Sequence, residues 1–118
     1  MSVTKLPDAI NLAFANRKMS MVVATGPSSY TQVTAGTPPA GPTGGQSIPA
    51  SAFGLKFIDE IIGGLDNSGK YIVEGTTGAK PGGATSVTLM WIIAHTGAEE
   101  SGATDLHTYS VQLTAIGR

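Results

Sequence analysis

Cysteine is absent from the 118 residues. That excludes a disulfide framework, a thiolate nucleophile, an iron–sulfur cluster and a zinc ribbon. Stability is therefore independent of redox state. Charge is also scarce. Only 13% of residues are charged against 41% hydrophobic, a balance that excludes a disordered acidic or basic tail. It leaves little surface devoted to solubility, as suits a protein whose surface is covered by neighbours in an assembly. The seven Lys and Arg are scattered and offset by eight Asp and Glu. No basic patch is available to release counterions from DNA, and no nucleic-acid partner is expected. Long apolar runs are missing too. None approaches the roughly 20 residues that span a bilayer, so no membrane partner is expected. The N-terminal MSVTKLPDAINLAFANRK lacks a basic head followed by an apolar run, so it does not read as a signal peptide.

Alternation is what the chain has instead. From Ser86, the residues Val87, Leu89, Trp91 and Ile93 fall on one face, with Ser86, Thr88, Met90 and Ile92 on the other. Further on, Tyr109, Val111, Leu113 and Ala115 alternate with Ser110, Gln112, Thr114 and Ile116. A period of two marks strands with one face toward a core, and the β-branched and aromatic content agrees. The stretch between, His95 to His107, is rich in Gly, Thr, Ser and acid and reads as a polar, solvated loop. The pattern predicts an antiparallel pair joined by that loop, with an apolar face that a second layer must cover.

Upstream, Arg17 to Ala24 predicts a strand with Met19, Met21 and Val23 on one face. Thr25-Gly26-Pro27 ends it. The stretch 30–48 is dominated by Gly, Pro and Thr. Pro38, Pro39 and Pro42 lack backbone donors, so it is neither a packed helix nor a central strand. It reads as a flexible surface loop or as an arm reaching a partner subunit. Pro49 to Phe53 followed by Gly54 predicts one helical turn, with Ser47 able to cap it and Gly54 able to end it in the left-handed region. The run Leu55 to Ile62 fits either period. Its length, closed by Gly63-Gly64, favours a strand with Leu55, Phe57 and Ile61 alternating. Asp66-Asn67-Ser68-Gly69 is turn chemistry, leading into a strand over Lys70 to Glu74, and Gly75 to Thr85 reads as a further loop. Five to seven strands are expected. The first residues, with Pro7 to Ile10, fit a short helix, an arm or an edge strand. The length suits one domain, divided into an N-terminal arm over 1–16 and a β-sandwich over 17–118. The fold class expected is all-β: an antiparallel β-sandwich, jelly-roll-like, with long Gly/Pro-rich loops and one short helical turn.

Catalytic motifs are weak. Gly64 to Lys70 has the spacing G-x-x-x-x-G-K, but Tyr71 stands where magnesium needs Ser or Thr. A strand-like YIVE also follows where phosphates need a helix N-terminus, so the stretch reads as a hairpin turn. His95 with Glu99 and Glu100, and Asp105 with His107, lack metal-site spacing and read as solvated loop residues. Asp59 and Glu60 read as solvent-facing at a strand edge. No G-x-S-x-G elbow is present, and no enzyme activity or cofactor is expected. Tyr30, Tyr71, Tyr109 and Trp91 could form a sugar platform, but their places in alternating runs suit core or subunit interface better.

One resemblance emerges from the order of the short pieces. A strand ends near Tyr30, and Pro42-Thr43-Gly44-Gly45 follows. Then come Phe53-Gly54-Leu55, Ile58-Asp59, a turn and strand at Gly69-Lys70-Tyr71, Gly102-Ala103-Thr104-Asp105-Leu106, and Ile116-Gly117-Arg118. From Arg17 to Arg118 the chain resembles the head decoration, or cement, proteins of tailed phages. Its Pro/Gly insertion between Tyr30 and Thr43 is longer than theirs. The resemblance implies a non-catalytic β-sandwich on the exterior of a virion capsid, assembled in the host cytoplasm. It also implies a homo-oligomer, often a trimer, with the major capsid protein as partner. Segments 2–16, 30–46 and 96–106 are then the partner-facing ones, and Tyr30, Thr37, Pro38, Pro39, Pro42, Thr43, Asp105 and Leu106 the candidate interface residues. The alternatives are a small carbohydrate- or ligand-binding β-module and a tail- or fibre-associated virion component.

Overall fold

A computed structural model of the chain describes residues 3–5, 12–14, 17–34, 44–77 and 83–118. Among these are nine strands: β1 (Val3–Lys5), β2 (Leu12–Phe14), β3 (Arg17–Thr25), β4 (Gln46–Pro49), β5 (Ile58–Ile62), β6 (Gly64–Leu65), β7 (Tyr71–Thr76), β8 (Ser86–Ile93) and β9 (Ser110–Gly117). They form two antiparallel sheets, one ordered β1-β3-β9-β5 with β2 also on β3, the other β4-β8-β7-β6. The protein is an all-β sandwich. The described residues of segment 1–16 pair with β3: β2 lies along Arg17–Met19 and β1 along Val22–Ala24. Two short strands thus share one edge of a long one. The stretch Pro7 to Ile10 lies outside the described residues.

The two alternating segments near the C-terminus are strands, and their apolar faces are the buried ones. Val87, Leu89, Trp91, Val111, Leu113 and Ala115 are all at most 2% exposed. They are not a pair, however. β8 lies between β4 and β7, whereas β9 lies between β3 and β5. Alternation fixes which face turns inward but carries no information about the neighbouring strand. The two faces instead meet across the sandwich, and the connection between them crosses from one sheet to the other. The core between the layers also takes in Val22 and Ala24 of β3, Ile48 of β4, Ile58 and Ile61 of β5, and Tyr71 and Val73 of β7.

In β3 Met19, Met21 and Val23 share one face as expected, and it is the half-buried outer one, while Ser20, Val22 and Ala24 turn inward. The outer row continues across the sheet, since Met19 pairs with Ile116 and Met21 with Thr114. Leu55 to Ile62 begins its strand only at Ile58. Its buried residues are Leu55, Ile58 and Ile61, with Phe57 half-buried. A spacing of three is incompatible with a regular strand. It is accommodated by a register shift between Ile58 and Glu60 against β9, where one extra residue resets which side faces in.

Ala50–Phe53 forms a 3-10 turn that ends at Gly54, with φ 72° and ψ 25°. The left-handed region favours Gly there. No side chain caps its start, and Ser47 is instead an exposed residue of β4. Between β5 and β6 the chain passes from one sheet to the other at Gly63, where a Cβ would collide with the backbone oxygen of Val73. Asp66 to Gly69 is a tight turn closed by the Gly69 N–H to the Asp66 carbonyl at 3.1 Å, and a strand follows it.

Ser20 is fully buried and its Oγ has no hydrogen-bond partner. An unmet buried hydroxyl costs about 1–3 kcal/mol. Ser20→Ala should therefore raise the free energy of unfolding by about 1 kcal/mol, read from urea denaturation. A clear loss of stability would show that the hydroxyl has a structural partner.

Candidate functional site

One end of the sandwich brings together hydrogen-bonded polar side chains from distant parts of the chain. Two connections lie side by side there. One runs from Gly26 to Thr34, after β3, and the other from Ala94 to Tyr109, between β8 and β9. Backbone hydrogen bonds tie them: Gly26 N–H to Tyr109 O (3.0 Å), Leu106 N–H to Pro27 O (2.8 Å), Tyr30 N–H to Thr104 O (2.9 Å) and Ala103 N–H to Tyr30 O (2.6 Å). Gly45, just before β4, donates to Thr31 O at 2.6 Å. Both described ends of the long Gly/Pro-rich loop are thus fixed at this rim.

Glu99 and Glu100 hold the rim to the core. Glu99 Oε2 accepts from the Tyr30 hydroxyl and from the Val33 N–H, each at 2.7 Å. Glu100 Oε2 accepts from the Tyr71 hydroxyl at 2.5 Å, and its Oε1 from the Ser101 N–H at 2.7 Å. Gln32 Nε2 donates to the Glu100 carbonyl at 3.1 Å. Beneath these, the Trp91 backbone N–H donates to the Tyr30 oxygen at 3.1 Å and its indole N–H to Gln46 Oε1 at 2.8 Å. Gln46, itself 4% exposed, donates onward to the Thr25 carbonyl at 2.6 Å. The polar chain therefore runs from the middle of one sheet to the other sheet and out to the loops. Nothing local in the sequence signals it, because Tyr30 and Glu99 are 69 positions apart and Tyr71 and Glu100 are 29 apart.

Several residues of this end depart from the expected solvated loop. Leu106 is 0% exposed and Tyr30 1%. They are core residues that order the connections, and they offer no surface to a partner. Asp105 is exposed. Its carboxylate accepts from the His107 N–H at 3.0 Å and meets His107 Nδ1 at 2.6 Å. These bonds hold its carboxyl below the usual carboxylate range. Thr37, Pro38, Pro39, Pro42 and Thr43 lie outside the described residues. Ala103 has φ 65°, the one non-glycine with positive φ among the described residues, and it belongs to the same rim. Such strain persists only where the surroundings fix the chain.

The chemistry here is of holding. Burial, then the bond to Glu99, keeps the Tyr30 phenol well above its ordinary range. Burial and Glu100 do the same for Tyr71. Ionising either phenol beside its carboxylate would set like charges together. Tyr71 also packs edge-on against Trp91 and Tyr109, with centroids 5.7 and 5.0 Å apart. Tyr30, Tyr71 and Trp91 are interior and form no exposed aromatic row. Asp66, 5% exposed, is pushed up by burial, but bonds from the Ser68 hydroxyl and the Tyr71 and Ser68 N–H groups outweigh that and lower it overall. Asp59 pairs with Arg17, and Glu60 is exposed. Among the described residues no three His, Asp or Glu side chains group to hold a metal ion. No described helix is long and apolar enough to cross a membrane. No protein-family model, curated protein or solved structure matches the chain.

The raised phenols set an alkaline limit. Their folded values lie above the unfolded one, so their contribution to stability is complete below about pH 10 and is lost as pH rises beyond it. Unfolding followed by Trp91 fluorescence should show stability falling above about pH 10, with a flatter fall in Tyr30→Phe. Glu99→Ala leaves the Tyr30 hydroxyl and Val33 N–H without an acceptor and should cost about 1–3 kcal/mol at neutral pH. If Glu99→Ala is neutral, the carboxylate does not anchor the rim.

Proposed function

We propose that the chain is a structural virion protein that binds the outer surface of a phage capsid and stabilises the shell. The observation that supports this most is the rim. The connections that lead into and out of the 30–46 loop and the 96–106 connection emerge together from one end of a rigid sandwich. They are fastened to each other by Glu99, Glu100 and the Tyr30 backbone. Loops held by a scaffold meet a partner without a large ordering penalty. The low charge of the chain and the apolar outer row of Met19, Met21 and Ile116, half-buried in the isolated chain, suit a surface that has neighbours.

In this reading the protein works by mass action. It binds the assembled shell and not its separated subunits, so each bound copy favours the assembled state. Many symmetric copies turn a modest contact into a large total. A trimer on a threefold axis presents the same rim three times, with the major capsid protein beneath it.

The test is co-sedimentation with purified capsids. The wild-type chain should pellet with expanded shells, at hundreds of copies per particle by quantitative mass spectrometry. A variant lacking Thr34 to Gly41 should lose most of that binding while unfolding at the same denaturant concentration. Unchanged binding would remove the loop from the interface. Absence of the wild-type chain from the pellet would remove the shell from the reading.

A further inference from the structure

Among the described residues the large hydrophobic side chains that stay exposed are Ile62 (52%), Leu65 (61%) and Ile72 (36%). They lie on the short run of chain from the end of β5 through β6 to β7 and share one corner of the fold. Leu65 pairs directly with Ile72, which pairs with Ile92, and Ile62 ends β5 just before the chain changes sheets. At this corner a cleft of about 370 Å3 opens between Ile61, Ile62, Gly63, Gly64, Ile72 and Glu74. A second hollow of about 190 Å3 continues it along Asp59, Glu60 and Thr76, the two sharing Ile61 and Gly75. The walls are two strand edges. β6 covers only Ile72 and Val73 of β7. β5 is the last strand of its sheet, bridged to Ala84 only at Ile58. On the edge of β5 that faces away from β9, no strand among the described residues lies alongside Asp59 to Ile62.

Gly64 adds a separate indication. A Cβ there would meet nothing within 4 Å, and its φ is not in the left-handed region. The fold does not require glycine at that position, yet its bare backbone lines the cleft. The charge of the rim is one-sided. Glu60 and Glu74 are exposed and have no ion-pair partner among the described residues. Asp59 is met by Arg17 on one oxygen, and its buried Oδ1 has no hydrogen-bond partner. An apolar floor, open strand edges and an acidic rim together specify an occupant: an extended chain that supplies backbone N–H and C=O groups, aliphatic side chains on one face and cations on the other. Two copies joined β5 to β5 across a two-fold axis would bring acid against acid.

We propose that this cleft docks an extended segment of a partner protein, apolar at alternate positions and carrying Lys or Arg between them. The site lies on β5–β7 and does not depend on the shell reading, which rests on the loop rim.

The test is an NMR titration of the full 15N-labelled chain with the capped peptide acetyl-Lys-Val-Lys-Val-Lys-amide, and with the same peptide bearing Glu for Lys. The basic peptide should shift the amides of 59–64 and 72–76 saturably, with weakening at higher salt. The acidic peptide should leave them in place. The surface double variant Glu60→Gln/Glu74→Gln should keep its spectrum and bind about fivefold more weakly, as the loss of two exposed charge pairs gives. No shift, equal shifts with both peptides, or shifts confined to other residues would overturn the proposal. So would movement of the same amides with protein concentration alone, which would make a second copy the occupant.

Discussion

Trp91 has two N–H groups in the middle of an apolar interior, and both must be met. A buried donor without an acceptor costs about as much as several well-packed methylene groups contribute. Much of the architecture at one end of the molecule follows from this constraint. The indole N–H needs an amide oxygen, which places Gln46 inward at the start of β4. Gln46 must then dispose of its own NH2, which it gives to the last residue of β3 in the opposite sheet. The backbone N–H of Trp91 needs a hydroxyl, which draws Tyr30 into the core from a connecting segment. Tyr30 in turn requires Glu99. A single large side chain thereby fixes both sheets and the two connections above them.

The other end of the same logic is the corner at Gly63. A strand that leaves one sheet and enters the other cannot lie edge to edge in both along its whole length. The short β6 and the bulged β5 are what remains after that compromise. The sandwich is therefore closed and polar-locked at the rim and open along the β5–β7 side. The rim and the corner differ because the rim is crossed by long connections able to fold back on the core, whereas the corner is crossed at one glycine.

Much of this was legible in the residues. The strands around Trp91 and Leu113, the turn at Asp66 to Gly69 and the helical turn ended by Gly54 all follow from period and turn chemistry. What was not legible has physical reasons. Partner choice for β8 and β9 is not encoded in alternation, which is a property of one strand. In β3 alternation groups Met19, Met21 and Val23 on one face without saying which face is inward, and that face is the outer one. The bulge at Ile58 to Glu60 converts a strand into a pattern of threes that mimics a helix. Glu99 and Glu100 looked solvated because their acceptor role depends on Tyr30 and Tyr71, which only tertiary structure brings near. Of the candidate interface residues, Asp105 is on the surface, whereas Tyr30 and Leu106 are buried and anchor the loops that carry them.

The place of β9 between β3 and β5 also governs when the molecule can come into being. β3 precedes β9 in the chain, and β9 is the last of the nine described strands. Until β9 arrives, the nine residues of β3 have, among the described residues, only two three-residue strands beside them, and β5 lacks its main neighbour. Assembly is dominated by distant pairings that close late, which makes folding slow relative to hairpin-built domains. In the interval the nascent chain displays bare strand edges that invite association with other copies.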